Sequence, residues 1–394
     1  AGAAVHILDP ISRKYRESNL ADLFDIARIC DTLEHIHFFQ RSIVCRDLED
    51  VREMDLNTCY ASIAGTKKHV GTSFSFPENV DEALQMLHLI AGSEEAWRER
   101  PFVSMSVCHV VPPLKFAEDA SACLEAGVKG GMPILLLSAG QAGATSPASL
   151  ARCVVEATSE VLAGLVYVNA IQEGAPAIFG AWPFVSDLRT GGMSGGSSEQ
   201  AVLMAACGQM SQFYNLPSGI AAGMTDSKIP DAQSGYEKGY TVALAGHSGA
   251  NLIYESAGMH ASLLGCCLES YVIDNDMLGA INRTVRGIEV NAETLSLDPI
   301  RDVCLDGPGH YLGHEQTLNR MQSDYLYPIV GDRENINNWI EQGSTDSIQR
   351  AHLKLKEILK THFPNNWDED TDRKIREQFP IRLPRNRMQP LDIS

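Results

Sequence analysis

One feature constrains this 394-residue chain most: short apolar segments of one style recur along it. They are "HIHFFQ" from His35, "HVGTSF" from His69, "FVSMSV" from Phe102, "PILLL" from Pro133, "APAIFG" from Ala175, "LPSGIAAG" from Leu216 and "NLIYE" from Asn251. Their starts lie roughly 30 to 45 residues apart, the spacing of repeated strand-helix units. The intervening stretches carry a helical period, as in Val154, Ala157, Val161, Leu165 and Val168, and again in Val202, Ala206, Met210 and Phe213. Segments apolar on both faces indicate a parallel sheet covered by helices.

Seven such units predict an α/β fold, a (β/α)8 TIM barrel, over residues 1–331. The eighth strand has two candidates, "VHILD" near the start and "LLGCC" after Ser262. An open doubly wound sheet is the alternative, but no G-x-G-x-x-G turn follows any strand, which also argues against a Rossmann-type cofactor enzyme. From Asp332 to Ser394 the chain becomes charged and Asn-rich, which predicts a helical C-terminal extension ending in "LPRNRMQP" as a tail.

Composition narrows the functions. The formal net charge of -18, with no Lys/Arg run, repels polyanions and argues against a nucleic-acid partner. It favours a cationic small molecule. Ten scattered cysteines without a CxxC pair fit a reduced, cytoplasmic location. No 18-residue apolar span is read, so no membrane association is expected. The opening "AGAAVHILDP" has no Met, so native N-terminal residues are expected to be missing.

In a barrel the functional residues gather at the C-terminal strand ends. Those ends supply Trp182 and Phe184; then Asp226, Ser227, Lys228, Asp231 and Gln233; then Tyr254, Glu255 and His260. Further on, "GPGHYLGHEQT" brings His310, Tyr311 and His314. Asp226 and Ser227 also suit capping of a helix near Pro230. Lys228 suits a Schiff-base role in a lyase or aldolase, or a solvated loop position. His310 and His314, at i and i+4, lack a third ligand at motif spacing, so no metal is expected. Trp182, Phe184, Tyr254 and Tyr311 can surround a quaternary ammonium through their ring faces.

Several long segments carry a resemblance: "GAPAIFGAWPFVSDLRTGGMSGGSSEQ", "YNLPSGIAAGMTDSKIPDAQSGYEKG", "GANLIYESAGMHASLLGCCLESYVIDNDML" and "GPGHYLGHEQTL". In order, they resemble the trimethylamine methyltransferase (MttB-like) superfamily, from about Leu8 to about Arg387. The resemblance implies a (β/α)8 barrel that passes a methyl group from an amine to the Co(I) corrinoid of a separate cognate protein. The founding enzyme carries pyrrolysine, whereas this chain uses only the standard twenty residues. It is therefore similar to the non-pyrrolysine branch, which includes glycine betaine:corrinoid protein methyltransferases.

On that basis Trp182, Phe184 and Tyr254 are expected to line the ammonium site, with Asp226 and Glu255 supplying negative field. His260 and Lys228 are expected to orient the substrate or hold a betaine carboxylate. Asp231 and Gln233 are expected to face the barrel mouth. His310, Tyr311 and His314 are expected to close it or meet the corrinoid partner. The cofactor is cob(I)alamin presented by that partner, and a homo-oligomer is expected. The rival readings are a Schiff-base enzyme on Lys228 and a non-catalytic betaine-binding protein.

Overall fold

The computed structural model describes residues 3–305 and 307–390, a mixed α/β chain. The opening Ala1 and Gly2 and the last residues of the expected tail, 391–394, lie outside the described residues. A hairpin of β1 (His6–Asp9) and β2 (Lys14–Glu17) leads into α1 (Leu20–Thr32), whose start is fixed by a reciprocal cap between Asn19 and Asp22. Then come β3 (Phe39–Gln40), α2 (Val51–Gly65), β4 (Val70–Thr72), α3 (Pro77–Ala91) and α4 (Glu94–Glu99). The next unit is β5 (Val103–Val107), a hairpin of β6 (Val110–Val111) and β7 (Lys115–Phe116), and α5 (Glu118–Lys129).

It is followed by β8 (Ile134–Ser138), β9 (Gln141–Ala142) and α6 (Leu150–Ile171), then β10 (Ala177–Ala181), β11 (Phe184–Val185) and α7 (Ser198–Phe213). The last units are β12 (Gly219–Ala221) with α8 (Ala232–His247), and β13 (Leu252–Tyr254) with β14 (Met259–His260), β15 (Gly265–Cys266) and α9 (Leu268–Arg286).

Each of the seven apolar segments holds one of the strands β3, β4, β5, β8, β10, β12 and β13. The first five form one sheet in the order β10-β8-β5-β4-β3, and every pair is parallel. The parallel pair β12-β13 continues it through a bridge between Phe179 and Ser218. The wall helices pack side by side outside, and α9 returns to pack on α1. The helices thus form a continuous ring of contacts from α1 round to α9, while no ladder among the described residues joins β13 to β3.

Both candidates for an eighth strand lie at that seam. "VHILD" forms β1 and "LLGCC" supplies β15, and they pair parallel with each other, His6 opposite Gly265. A parallel bridge from Ala4 to Ile43 ties them to the chain just beyond β3.

Two sequence expectations need correction. The α7 period was phased onto Val202 and Phe213, yet both are exposed, and the buried face is Ala201, Leu203, Met204 and Cys207. That helix is apolar nearly all round, so periodicity alone does not choose the face. Secondly, α6 is long and apolar enough by length and composition to cross a membrane. It packs instead on β8 and β10, with Ala157, Val161 and Val168 buried against them.

Beyond α9 the chain runs through α10 (Asp298–Cys304), α11 (Glu315–Ser323) and α12 (Ile336–Glu341). Next come α13 (Ser347–Thr361) and α14 (Glu369–Gln378). Helix α13 packs on α1 and α9. The expected loose tail is docked: Leu383 is buried, Arg385 pairs with Asp372 at 2.7 Å and Arg387 with Asp25 at 2.6 Å.

Arg28 fastens this extension to the wall. It is buried, donates to the carbonyls of His362 and Leu359 at 2.8 Å each, and lies 4.0 Å from the Phe363 ring centroid. Arg28→Met is expected to destabilise the protein by on the order of 3 kcal/mol or more in urea unfolding, because the two carbonyl bonds and the buried ion pair with Asp25 at 2.9 Å are lost. An unchanged midpoint and slope would show that the extension docks without it.

Candidate active site

Three strand-end loops converge on one carboxylate. Asp226, after β12, accepts from Ser194 Oγ at 2.7 Å and from the Gly196 N–H at 3.4 Å, both in the β11–α7 loop. It also accepts from Ser262 Oγ, in the loop after β14. Buried Glu237 on α8 holds Asp226 in turn, accepting from Thr225 Oγ1 at 2.5 Å and the Asp226 N–H at 2.8 Å. Gln233 donates to the other Glu237 oxygen at 2.8 Å. Asp231 caps α8 by accepting from the Ser234 N–H at 2.9 Å, and it receives Ser227 Oγ at 2.8 Å. The acids and amide of this loop are therefore engaged in bracing, and capping accounts for Asp231 rather than Asp226.

Lys228 is exposed and folds back onto the Asp226 carbonyl at 2.6 Å. Buried His260 bonds to Ser270 Oγ through Nε2 at 2.7 Å. Burial first, and Lys238 second, hold its pKa well below the usual histidine range, so the ring stays neutral near pH 7. A neutral, enclosed imidazole does not supply a cation for a substrate carboxylate.

His310, Tyr311 and His314 are not brought to this cluster. They belong to the segment that leaves the far end of α9, where His310 and Tyr311 are exposed and His314 caps α11. The resemblance places them in the family pattern but carries no information about where they sit relative to the strand ends.

The aromatic group does assemble. Register alternation points Tyr254 inward: its partner on β12 is Ala221, and a Cβ on Gly219, two residues earlier on the same face, would lie 2.6 Å from the Tyr254 ring. Trp182 lies 5.5 Å from Tyr254 and 6.4 Å from Phe184 between ring centroids, and donates to the Gly219 carbonyl at 2.6 Å. Phe38, from the loop before β3, joins edge-on to Tyr254 at 4.8 Å. Trp182 and Tyr254 are buried while Phe184 is half-buried, so the rings form a floor rather than an open cage.

Next to this floor Glu255 takes a backbone φ of +61, a left-handed conformation unusual for a non-glycine residue. Its carboxyl is buried, and Oε1 has no hydrogen-bond partner. Burial pushes its pKa up to about 7, with Arg41 pulling weakly the other way. The residue lines a cavity of about 360 Å3 with Phe38, Gln40, Ser42, Tyr254 and Met259. A larger groove of about 1,070 Å3 runs outside the wall between α3 and α5, but contains none of the strand-end residues.

Phe38, Gln40 and Ser42 were missed in the sequence. The signal was available, since they flank the end of the first strand just as Tyr254 and Glu255 flank the last.

With this geometry in view, comparison with known proteins is decisive on ancestry. Residues 2–383 match the family model described as trimethylamine methyltransferase (MTTB). The chain belongs to this family. It is 32% identical over 363 residues to the trimethylamine methyltransferase MttB of Desulfitobacterium hafniense (strain DSM 10664 / DCB-2), covering 92% of this chain and 72% of that protein. The corresponding protein of Methanosarcina barkeri (strain Fusaro / DSM 804) is 34% identical over 351 residues, covering 89% and 70%. A glycine betaine methyltransferase of Desulfitobacterium hafniense (strain Y51) is 29% identical over 363 residues, covering 91% and 74%. Family membership and the strand-end geometry thus coincide on one chain.

The raised Glu255 pKa has a stability consequence. The folded state keeps this proton up to about pH 7 and the unfolded state only to about 4.5, so stability falls as pH rises between those values. The loss at pH 8 approaches roughly 3 kcal/mol. Glu255→Gln removes it and is expected to unfold at higher urea than the parent at pH 8 but not at pH 4. Equal shifts at both pH values would show that the carboxyl ionises normally.

Proposed function

We propose that this chain is a methyltransferase that takes a methyl group from a small quaternary ammonium compound of the glycine betaine type and passes it to the corrinoid of a cognate protein. A (β/α)8 barrel, with β1 serving at the seam as a partial eighth strand, provides the frame. One observation carries the reading: a buried carboxyl oxygen without a partner stands beside a floor of aromatic rings in a cavity of small-molecule size. Family membership supports it, and the relative named for glycine betaine supplies the substrate class.

The corrinoid supplies the nucleophile, a Co(I) centre. A cavity of about 360 Å3 admits a small amine but not a corrin macrocycle, so the corrinoid would stay outside it. This chain's residues do the remaining work. Tyr254 and Phe38 offer ring faces and edges that hold a methylated cation and exclude water, with Trp182 packed behind Tyr254. Glu255, once ionised, offers the opposing charge. The leaving nitrogen already carries its positive charge, so no proton donor is needed, and a neutral His260 is compatible with that.

The charge on nitrogen disappears as the methyl group leaves, so an intense negative field would favour the bound substrate over the transition state. A single carboxylate that ionises near pH 7 is a moderate field. Glu255 therefore acts in capture and orientation, and its effect falls mainly on KM.

The test is anaerobic consumption of cob(I)alamin, followed by its absorbance, with glycine betaine as donor. Glu255→Gln is expected to raise KM about tenfold or more with a smaller change in kcat, and to flatten the decline in parent KM as pH rises through 7. Lys228→Ala is expected to leave the rate within about twofold, and borohydride to trap no adduct on it. Binding of glycine betaine without any cob(I)alamin consumption would favour a binding protein instead. A borohydride adduct on Lys228 would favour the Schiff-base enzyme.

A further inference from the structure

The cavity beside Glu255 has a second polar end. Gln40 closes β3 and pairs in register with Gly71 of β4, which pairs in turn with Ser104 of β5. This register places the Gln40 side chain on the inward face with Ser104 and Ser106. Gly71 is what lets it lie there: a Cβ at that position would come 1.8 Å from Gln40 Oε1. Ser106 Oγ donates to Oε1 at 3.5 Å. Gln40 Nε2 is a buried donor with no partner, and Ser42 Oγ, two residues on, is likewise buried and unpartnered. Both residues line the cavity that Glu255 and Tyr254 line.

An unpaired buried donor is costly unless something arrives to accept from it. Glu255 and the rings supply an anion and ring faces, whereas Gln40 and Ser42 supply an N–H and an O–H. The two groups suit a molecule that is cationic at one end and a hydrogen-bond acceptor at the other.

We infer that Gln40, assisted by Ser42, is the specificity-determining residue for the end of the substrate beyond the ammonium group, and that it selects a carboxylate. This rests on the reading of the cavity as a quaternary amine site and narrows its ligand class to zwitterions. It also relocates the carboxylate contact from Lys228 and His260, which the structure places on the surface and in an enclosed neutral pocket. Trimethylamine and tetramethylammonium have nothing to offer Gln40, so they leave its Nε2 buried and unpaired.

Calorimetric titration of the full chain at pH 8 with glycine betaine and with tetramethylammonium tests this. Gln40→Glu exchanges the donor for a repelling carboxylate. It is expected to weaken glycine betaine by about 30-fold or more, and tetramethylammonium by less than about threefold, since a hydrogen bond to a charged group is worth roughly 10- to 100-fold. Gln40→Met and Ser42→Ala, which add no charge, are expected to move affinity in the same selective direction by smaller factors. They serve if Gln40→Glu does not fold, as judged by thermal unfolding.

Equal loss of both ligands, or no loss of either, overturns the assignment. Failure of the parent reading gives a different pattern: the wild type binds glycine betaine selectively but leaves cob(I)alamin absorbance unchanged. A wild type that binds neither cation overturns both.

Discussion

The strand-end architecture hangs on Glu237, a carboxylate on a wall helix that points back over the sheet. By accepting from Thr225 and the Asp226 backbone it fixes the turn after β12, and Asp226 then reaches Ser194 and Ser262 in the two neighbouring loops. Two backbone bonds, from Ala261 to Ser227 and from Ser262 to Thr225, complete the junction at 2.9 Å each. Ala261 and Ser262, with Leu263, hold positive φ without being glycine, a conformation that persists only where surroundings over-determine it. The acids of this stretch therefore hold the turn after β12 and the loop after β14 in one fixed arrangement.

Beneath that junction lies a second constraint. Lys238 and Asp274 form a buried pair at 2.7 Å, and Asp274 also accepts from the Gly258 N–H at 2.8 Å. Gly258 has φ of +78, and a Cβ on it would lie 2.3 Å from the Tyr271 ring. Removing one partner would leave an uncompensated charge in the interior. The pair joins α8 to α9 and fixes the turn between Glu255 and His260. Position, rather than direct chemistry, is what these charged residues supply.

The strand positions were legible because strands buried on both faces read as short apolar runs, and all seven segments hold their strand. The cluster of Trp182, Phe184, Tyr254 and Glu255 was legible because each residue closes or follows such a run. What failed had physical causes. Asp226 and Lys228 look alike in sequence as loop polars, but one is enclosed by three loops and the other points to solvent, a difference set by partners as distant as Ser194 and Ser262. His310 and His314 read as a pair at the mouth, while the path of the chain after α9 carries them elsewhere. The face of α7 was misread because apolar residues surround it. Gln40 escaped notice because its meaning depends on Gly71 and Ser106, more than thirty residues away.

The central claim is that a methylated cation sits against the Glu255 carboxyl. Glycine betaine binding at pH 6, measured by calorimetry in buffers of different ionisation enthalpy, addresses it most directly. A cation arriving beside a carboxyl that ionises near pH 7 drives its proton off, so most of one proton is expected to be released per ligand bound, and none in Glu255→Gln. Binding with no proton release in the parent chain, or with equal release in Glu255→Gln, would place the cation elsewhere and contradict the account.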